Sequence, residues 1–387
     1  MGLFTTHDFY NTLSKKHFVF DIYEKLFLAH NNYEIYNANP TNNANALKKV
    51  YTFDLFPSYL KPIYRNPELN KLKIIPQKKI IGYAIQINEN KGFSDFFKNE
   101  FSKSFRSNTR RFVNRFEACF NVSYKMFYGN IDKTEYNTLM SALHTMLTKR
   151  FNQREESNKM LENWEFYQAT AFKNINSNKA SLFVIYHDNI PVQISLNYHF
   201  NNILFIAIPS YNIDYAKFSL GNISIYKLLE WAVTENYDLM DLEYGYLEYK
   251  RRWSNYIYSF AHHVVYPKND VKSNVVATIS ILKLKLKNFF KSIHVDELIK
   301  NLKCYFYKHK GTFKDITYTT EPIQFDNANN LESLNINSPK VVGIKKAMFD
   351  FLFINKEHVN NLKIYEIVPF KEYVFSGKSV SQKVVVL

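Results

Sequence analysis

From residue 181 the hydrophobic pattern predicts three strands in meander, a helix and a further strand. Residues 181–187 are a short apolar run ended by Asp188-Asn189, a pair that tolerates left-handed backbone angles and so permits a reversal. In residues 192–200 the apolar Val192, Ile194, Leu196, Tyr198 and Phe200 alternate with Gln193, Ser195, Asn197 and His199, the period of a strand with one buried face. Asn201-Asn202 turns the chain again, and residues 203–208 read as a buried strand stopped by Pro209, which cannot donate to a ladder. Residues 210–220 form a polar loop. Beyond Gly221 the side chains of Ile225, Leu228, Leu229, Ala232 and Val233 share one face, which predicts a helix starting near Gly221. Met240, Leu242 and Tyr244 then alternate with Leu239, Asp241 and Glu243, so a strand there carries both carboxylates on one face.

The flanking regions are patterned less sharply. Phe101, Phe105, Phe112 and Phe116 make a helical stripe, with Arg106, Arg110, Arg111 and Arg115 as two i,i+4 pairs on the remaining surface. Tyr136, Leu139, Met140, Leu143 and Leu147 predict a second helix, and residues 152–158 a polar loop. Pro57, Pro62, Pro67 and Pro76 cut residues 51–80 into short extended pieces. In residues 281–291 lysines alternate with leucines as in a strand, but the longer context through Tyr307 favours a helix. Residues 311–387 read as a small mixed module whose ending, residues 383–387, is an edge strand or a frayed tail.

Three places invite chemistry. The first amides of a helix near Gly221 lack partners within the helix, and a glycine lets an anion approach them; Lys217 and Ser219 would add an ammonium and a hydroxyl. A plain turn capped by Ser219 or Asn222 has the same signature. Asp241 and Glu243, if they share a cleft, would repel one another and be desolvated, raising at least one pKa towards that of a general base; a solvated edge-strand face is the alternative. Arg110 and Arg111 offer phosphate contacts, or form a solvated basic face over an aromatic core stripe.

The stretch from Phe101 to Tyr258 resembles the GNAT-superfamily acyltransferases associated with cellulose and exopolysaccharide biosynthesis, relatives of the FemAB-like peptidoglycan aminoacyltransferases. The landmarks are the basic run of residues 107–115, the hairpin around Asn189-Ile190-Pro191-Val192, residues 214–221, and residues 241–245 followed by Tyr249-Lys250 and Trp253. The resemblance implies an α+β fold: a GNAT-like mixed sheet flanked by helices over residues 96–266, preceded by a divergent GNAT-like half over 1–95 and followed by a basic helical and small α/β accessory region over 267–387. It implies acyl-CoA or a related carrier as co-substrate and no metal. The pantetheine would wedge between two splayed strands, residues 203–208 and 239–244, with Ile208 lining it, and the pyrophosphate would meet Lys217, Ser219, Gly221 and Asn222. The loop holds one glycine, and Leu220 replaces a small residue, so it departs from the usual Gln/Arg-x-x-Gly-x-Gly/Ala pattern. An amine acceptor would attack the thioester directly, with Glu243 as base, Asp241 or His199 working through water, and Tyr249 as acid for the leaving thiolate. Lys250 would contact an anion, and Trp253 would line the acceptor side or simply pack. A histidine on a polar strand face is equally read as a structural hydrogen-bonding group.

Charge and cysteine usage set the surroundings. Fifty basic against 35 acidic residues give a formal charge of +15 over 387 residues, which attracts polyanions: an anionic membrane surface, or nucleic acid. No nucleic-acid motif is recognisable, so tRNA enters only as the donor in a FemAB-like alternative. Cys119 and Cys304 lie far apart with no metal-ligand spacing, which fits a reducing compartment. The N-terminus has no apolar stretch of signal-peptide length, and the expected location is the cytoplasm, peripherally at the inner face of the membrane through the basic C-terminal third. The readings carried forward are an N-acyltransferase acting on a sugar, amino acid or envelope or exopolysaccharide precursor, an aminoacyl-tRNA-dependent transferase, and a non-catalytic binding module of the same fold.

Overall fold

The computed structural model describes residues 4–38, 47–87, 92–154, 159–292, 317–324, 333–336, 338–369 and 371–387. In chain order the first elements are β1 (Phe4–Asp8), α1 (Phe9–Lys16), β2 (Tyr23–Leu28), β3 (Glu34–Asn37), β4 (Val50–Pro57), β5 (Leu60–Tyr64) and β6 (Asn70–Gln86). Next come α2 (Phe93–Glu100), α3 (Lys103–Cys119), β7 (Val122–Phe127), α4 (Lys133–Arg154), α5 (Lys159–Glu162) and α6 (Trp164–Asn176). The meander follows as β8 (Ala180–His187), β9 (Ile190–Phe200) and β10 (Ile203–Tyr211), then a 3-10 turn (Ile213–Phe218), α7 (Leu220–Thr234), β11 (Leu239–Tyr244), α8 (Glu248–Trp253), β12 (Tyr256–Pro267) and α9 (Val271–Ser292). The last part holds β13 (Tyr318–Ile323), β14 (Ser333–Leu334), α10 (Lys345–Asn355), β15 (Lys363–Val368), β16 (Glu372–Ser376) and β17 (Ser381–Val386). This is the expected α+β class, with mixed sheets flanked by helices.

The chain forms two compact units, each drawn from three segments. The first comprises Met1–Asn90, Tyr198–Ala207 and Ala232–Lys308. Its strands run in the order β1-β4-β12-β6-β11-β10, beside a separate sheet β3-β2-β5. β1 and β4 are parallel, β12 is antiparallel to β4 and β6, β6 is antiparallel to β11, and β11 is parallel to β10. Phe9, Tyr10, Tyr23, Phe53, Phe56, Tyr59 and Tyr83 fill its core. The second unit comprises Lys91–Asn197, Ile208–Trp231 and His309–Leu387. It holds the remainder of β9 and β10 with β8 and β7, a sheet β13-β17-β16-β15-β14, and α2 to α6, most of α7, and α10. Phe116, Phe120, Leu139, Leu143, Tyr215, Phe218 and Phe349 are among its buried residues.

Most elements answer their patterns. Asp188 (φ 52°) and Asn201 (φ 48°) take the left-handed angles that their reversals require. The meander, α3, α4, α7 and the helix over residues 281–291 are all present, the last as part of α9.

Four details differ. Gln193, Ser195, Asn197 and His199 are all buried, so both faces of β9 are covered; the polar face is partly self-satisfied, with Ser195 Oγ donating to Asn197 Oδ1 (2.7 Å) and Asn197 Nδ2 to Ser181 Oγ (3.3 Å). Pro209 does not stop β10, because it lies past the last residue paired with β11 and no donor is needed on that edge. Pro76 lies inside the 17-residue β6 for a similar reason: it pairs with Ala261 of β12, and β11 joins the other edge only from Gly82. Residues 383–386 belong to β17, an internal strand between β13 and β16 rather than an edge or a tail. Residues 155–158 of the expected polar loop, and the lysine-bearing stretch 293–316, lie outside the described residues.

Candidate functional site

In the first unit the chemistry gathers around the end of β11. Its parallel register with β10 runs Ile203↔Leu239, Leu204↔Met240 and Phe205↔Asp241 and ends there, although both strands continue. On the other edge, the pairing of β11 with β6 slips between Asp241 and Tyr244. Glu243 occupies this slip with φ 62°, a left-handed conformation that costs a non-glycine residue about 1 kcal/mol or more. Gly245 follows at φ 98°, where a glycine carries no such cost. The slip interrupts the alternation that would have put Asp241 and Glu243 side by side on one face.

Asp241 holds this irregular backbone in place. Its side chain is fully buried, and Oδ1 accepts from the Glu243 amide at 2.8 Å. The Tyr59 hydroxyl donates to Oδ2 at 2.8 Å, and the Tyr258 hydroxyl reaches both oxygens, at 2.7 and 2.8 Å. Tyr258 stands on β12, two strands from β11, and its ring leans across Gly82 of β6, where a Cβ would collide with it. The Tyr10 hydroxyl is buried near the same carboxylate and favours its charged form, without meeting hydrogen-bond geometry to any group among the described residues. Burial pushes the Asp241 pKa up to about 6, against the pull of its donors.

Glu243 is placed differently. Its Oε1 is buried without a hydrogen-bond donor among the described residues, and Lys15 Nζ stands 3.9 Å away. Burial raises its pKa above the ordinary value; Lys15 and Lys250 oppose the rise and Asp8 adds to it. Both acids are thus shifted by desolvation, not by the mutual repulsion that a shared face would have produced. Helix α1 supplies this surrounding because Asp8 caps it, accepting from the Asn11 amide at 2.9 Å, while Phe9, Tyr10 and Leu13 bury one side and Lys15 lies in the last turn. Lys250, buried on α8, donates to the Tyr244 carbonyl at 3.0 Å, and burial lowers its pKa.

The other expected residues of this unit have plainer settings. His199 shares a 2.7 Å hydrogen bond with the Tyr237 hydroxyl, and burial lowers its pKa to about 3, so the imidazole is neutral at physiological pH. Trp253 is wholly buried, and Tyr249 is half-buried on α8.

The second unit contains the loop between β10 and α7. The helix starts at Leu220, Ser219 has φ 60°, and its carbonyl accepts from the amides of Asn222 (2.8 Å) and Ile223 (3.2 Å). Asn222 Nδ2 also donates to Ser219 Oγ at 2.7 Å, a side-chain bond within the turn. Gly221 lies in the first turn of α7, where a Cβ would come within 3.9 Å of the Tyr211 ring. Lys217 Nζ lies 3.6 Å from Asp350 Oδ2, and Ile208 is buried in β10. Arg110 and Arg111 are exposed on α3, whereas Arg115 donates to the Phe353 carbonyl and stacks on its ring.

Two features of this unit were not visible in the sequence. Gln193, Ser210 and Ser224 bury polar side-chain atoms without a hydrogen-bond partner among the described residues. A cavity of about 640 Å³ is lined by α4 residues including Thr138, Ser141, Thr145 and Lys149 and by Tyr211, Asn212 and Ile213. In the first unit, Tyr10, Lys15, Tyr59 and Tyr258 were also missed, being far from Asp241 in the chain. The one signal was Gly82 within the apolar run Ile80-Ile81-Gly82-Tyr83-Ala84, which marks a close approach in a strand.

No curated protein matches the chain. Among solved structures, a conserved protein of unknown function from Bacteroides thetaiotaomicron VPI-5482 is similar at TM-score 0.40 and 12% identity, over 56% of this chain and 70% of the other. The C-terminal domain (DUF2156) of a proposed lysylphosphatidylglycerol synthetase from Agrobacterium fabrum gives TM-score 0.38 and 7% identity, over 61% and 72%. FemX gives 0.28 and 11%, over 51% and 64%. Residues 103–251, less than half of the chain, match the family model described as an acetyltransferase (GNAT) domain.

Proposed function

We propose that the protein is an acyltransferase that moves an acyl group from acyl-CoA, or a related carrier, to an amine of a sugar, amino acid or envelope or exopolysaccharide precursor. The observation that carries the reading is Glu243: a carboxylate oxygen shut away from water with no donor among the described residues, on a strained backbone, with a raised pKa. A structural acid is normally hydrogen-bonded, as Asp241 is; one left unsatisfied is poised to take a proton. In this reading Glu243 removes the proton of the attacking ammonium, the amine nitrogen bonds to the thioester carbonyl carbon, and the C–S bond breaks to release the thiol. Asp241 positions Glu243 through its amide. Tyr249 is the proposed acid for the thiolate, and Lys250, bonded to the Tyr244 carbonyl, would steady charge there. His199, neutral and bonded to Tyr237, is the weaker proposal for a relay.

In the second unit the donor's anionic part is proposed to meet Lys217, Ser219, Gly221 and Asn222, with Ile208 against its apolar arm. The unsatisfied Gln193, Ser210 and Ser224 are polar atoms that the amides of a pantetheine would complete. Arg110 and Arg111 stay as proposed acceptor contacts, whereas Trp253, wholly buried, is the packed aromatic of the alternative reading. The net charge of +15 and the exposed Arg110 and Arg111 favour the second reading, an aminoacyl-tRNA donor. Thiol release from a panel of acyl-CoA donors, run beside deacylation of aminoacyl-tRNA, separates the two. With the productive donor, Glu243→Gln is expected to lower kcat about 100-fold or more while donor affinity stays within about threefold. Wild-type rates across pH in that variant would remove Glu243 from the chemistry, and no turnover of either donor would leave a binding module.

A further inference from the structure

Helix α9 carries two apolar faces. One packs on the first unit's sheet: Ser273, Ala277 and Asn288 are buried, and Ile281 and Leu284 lie against Val50, Ile75 and Val264. The other is exposed: Val271 (77%), Val275 (55%), Ile279 (48%), Leu282 (59%), Leu286 (53%) and Phe289 (57%) recur every three or four residues along the full 22-residue helix. At about 100° per residue these six fall within an arc of about 80°, with Phe290 at its margin, opposite the buried arc. The helix contains no acidic residue. Lys272, Lys283 and Lys287 border one side of the exposed arc and Lys285 the other, all exposed. At its edge, Ile279 and Lys283 join a cavity of about 460 Å³ with Phe4, Thr6, Thr52 and Asp54, and that acid is bonded to His262 Nδ1 at 2.6 Å.

We propose that this outer face of α9 docks on an anionic phospholipid bilayer, with its apolar arc among the acyl chains and its lysines at the headgroups. A stripe left wet along six turns is costly for a surface helix, and a bilayer offers both apolar depth for the arc and negative charge for the borders. A protein partner with an apolar groove would meet the arc but would need acids on both rims. Among the described residues no helix is long and apolar enough to cross a membrane, and the proposed attachment is peripheral. The inference is independent of the transferred group, since it rests on α9 alone.

Flotation of the full chain with vesicles of phosphatidylcholine alone, or with an equal part of phosphatidylglycerol, tests it. The wild type is expected to float with the anionic vesicles only, at least tenfold more than with the neutral ones, and to be released by high salt. Leu282→Glu with Leu286→Glu should abolish flotation with unchanged circular dichroism and melting temperature, because both side chains are exposed. Lys283→Glu with Lys285→Glu and Lys287→Glu should lose the preference for anionic lipid. A separate Leu286→Trp variant should show emission that shifts to the blue only when anionic vesicles are added. Binding that survives the Leu→Glu pair would overturn the proposal. So would Leu286→Trp emission already blue without lipid, or a dimer in the wild type that the Leu→Glu pair converts to monomer, since the face is then covered by protein.

Discussion

Asp241→Asn removes a buried charge with little change of shape and should reverse its own effect on stability as pH changes. An exposed aspartate titrates near 3.8, whereas Asp241 does so at about 6. Between these values the folded protein binds the proton more tightly than the unfolded chain, so unfolding free energy falls as pH rises through the window. Above pH 7 the ionised form costs about 3 kcal/mol relative to an unshifted carboxylate. Asparagine carries no such charge. It keeps an oxygen for the Glu243 amide and Tyr258, but turns an NH2 towards Tyr59, whose hydroxyl must then accept, at a loss of about 1 kcal/mol. The variant should therefore be less stable than wild type by about 0.5 kcal/mol near pH 4 and more stable by about 2 kcal/mol near pH 7.5, with a crossing between. Urea unfolding at half-unit steps of pH, followed by fluorescence, measures both curves. Other titrating groups cancel in the difference. A gap that keeps one sign and one size from pH 4 to 7.5 would show that Asp241 is not held with a raised pKa, and the account of this cluster would fail.

Four further outcomes follow from the same geometry. Gly82→Ala places a methyl against the Tyr258 ring and should cost about 3 kcal/mol, from overpacking and the loss of the Tyr258–Asp241 bond, in thermal or urea unfolding; a change under 1 kcal/mol would mean the ring has room to move. Tyr59→Phe leaves Asp241 with one phenol fewer, and about 2 kcal/mol of stability should be lost at pH 7.5 but less near pH 4.5, where the acid is neutral. Lys15→Ala withdraws a cation that favours ionised Glu243, so the acidic limb of kcat/KM should move to higher pH; a limb that stays in place separates Lys15 from the base. Lys217→Ala should weaken donor binding about threefold to tenfold at low salt and less at high salt, a modest loss because Lys217 is half-exposed and already near Asp350; equal affinity at low salt would take it out of the donor site.

How much of this was legible in the chain follows from the range of the interactions. The meander, α4 and α7 were readable because each is set by local periodicity, and the reversals at Asp188 and Asn201 because only a few residue types take left-handed angles cheaply. The polar side of β9 misled, since alternation reports residue type and not what covers the face: Ser195 and Asn197 satisfy each other and can be buried. The prolines misled for a related reason. A proline forbids a donor, not a strand, and at Pro76 and Pro209 the edge towards β11 carries no pairing.

The environment of the two acids was beyond any local pattern. Tyr59 lies 182 residues before Asp241, and Lys15 lies further still, so the pair's pKa shifts depend on a sheet that brings β4, β6, β11 and β12 together. The sequence supports two acids on adjacent odd positions of one strand and, from that, two like groups acting together. The slip after Asp241 divides them instead. Asp241 is saturated with donors and fixes the backbone; Glu243, turned by its left-handed angle, is left with a cation at 3.9 Å and, among the described residues, no donor on Oε1. A strand in perfect register would have made two equivalent acids, each raising the other's pKa. One misplaced residue makes them unequal, and that inequality is what a proton-transfer site needs, because the group that must exchange a proton cannot also be the group that holds the backbone still.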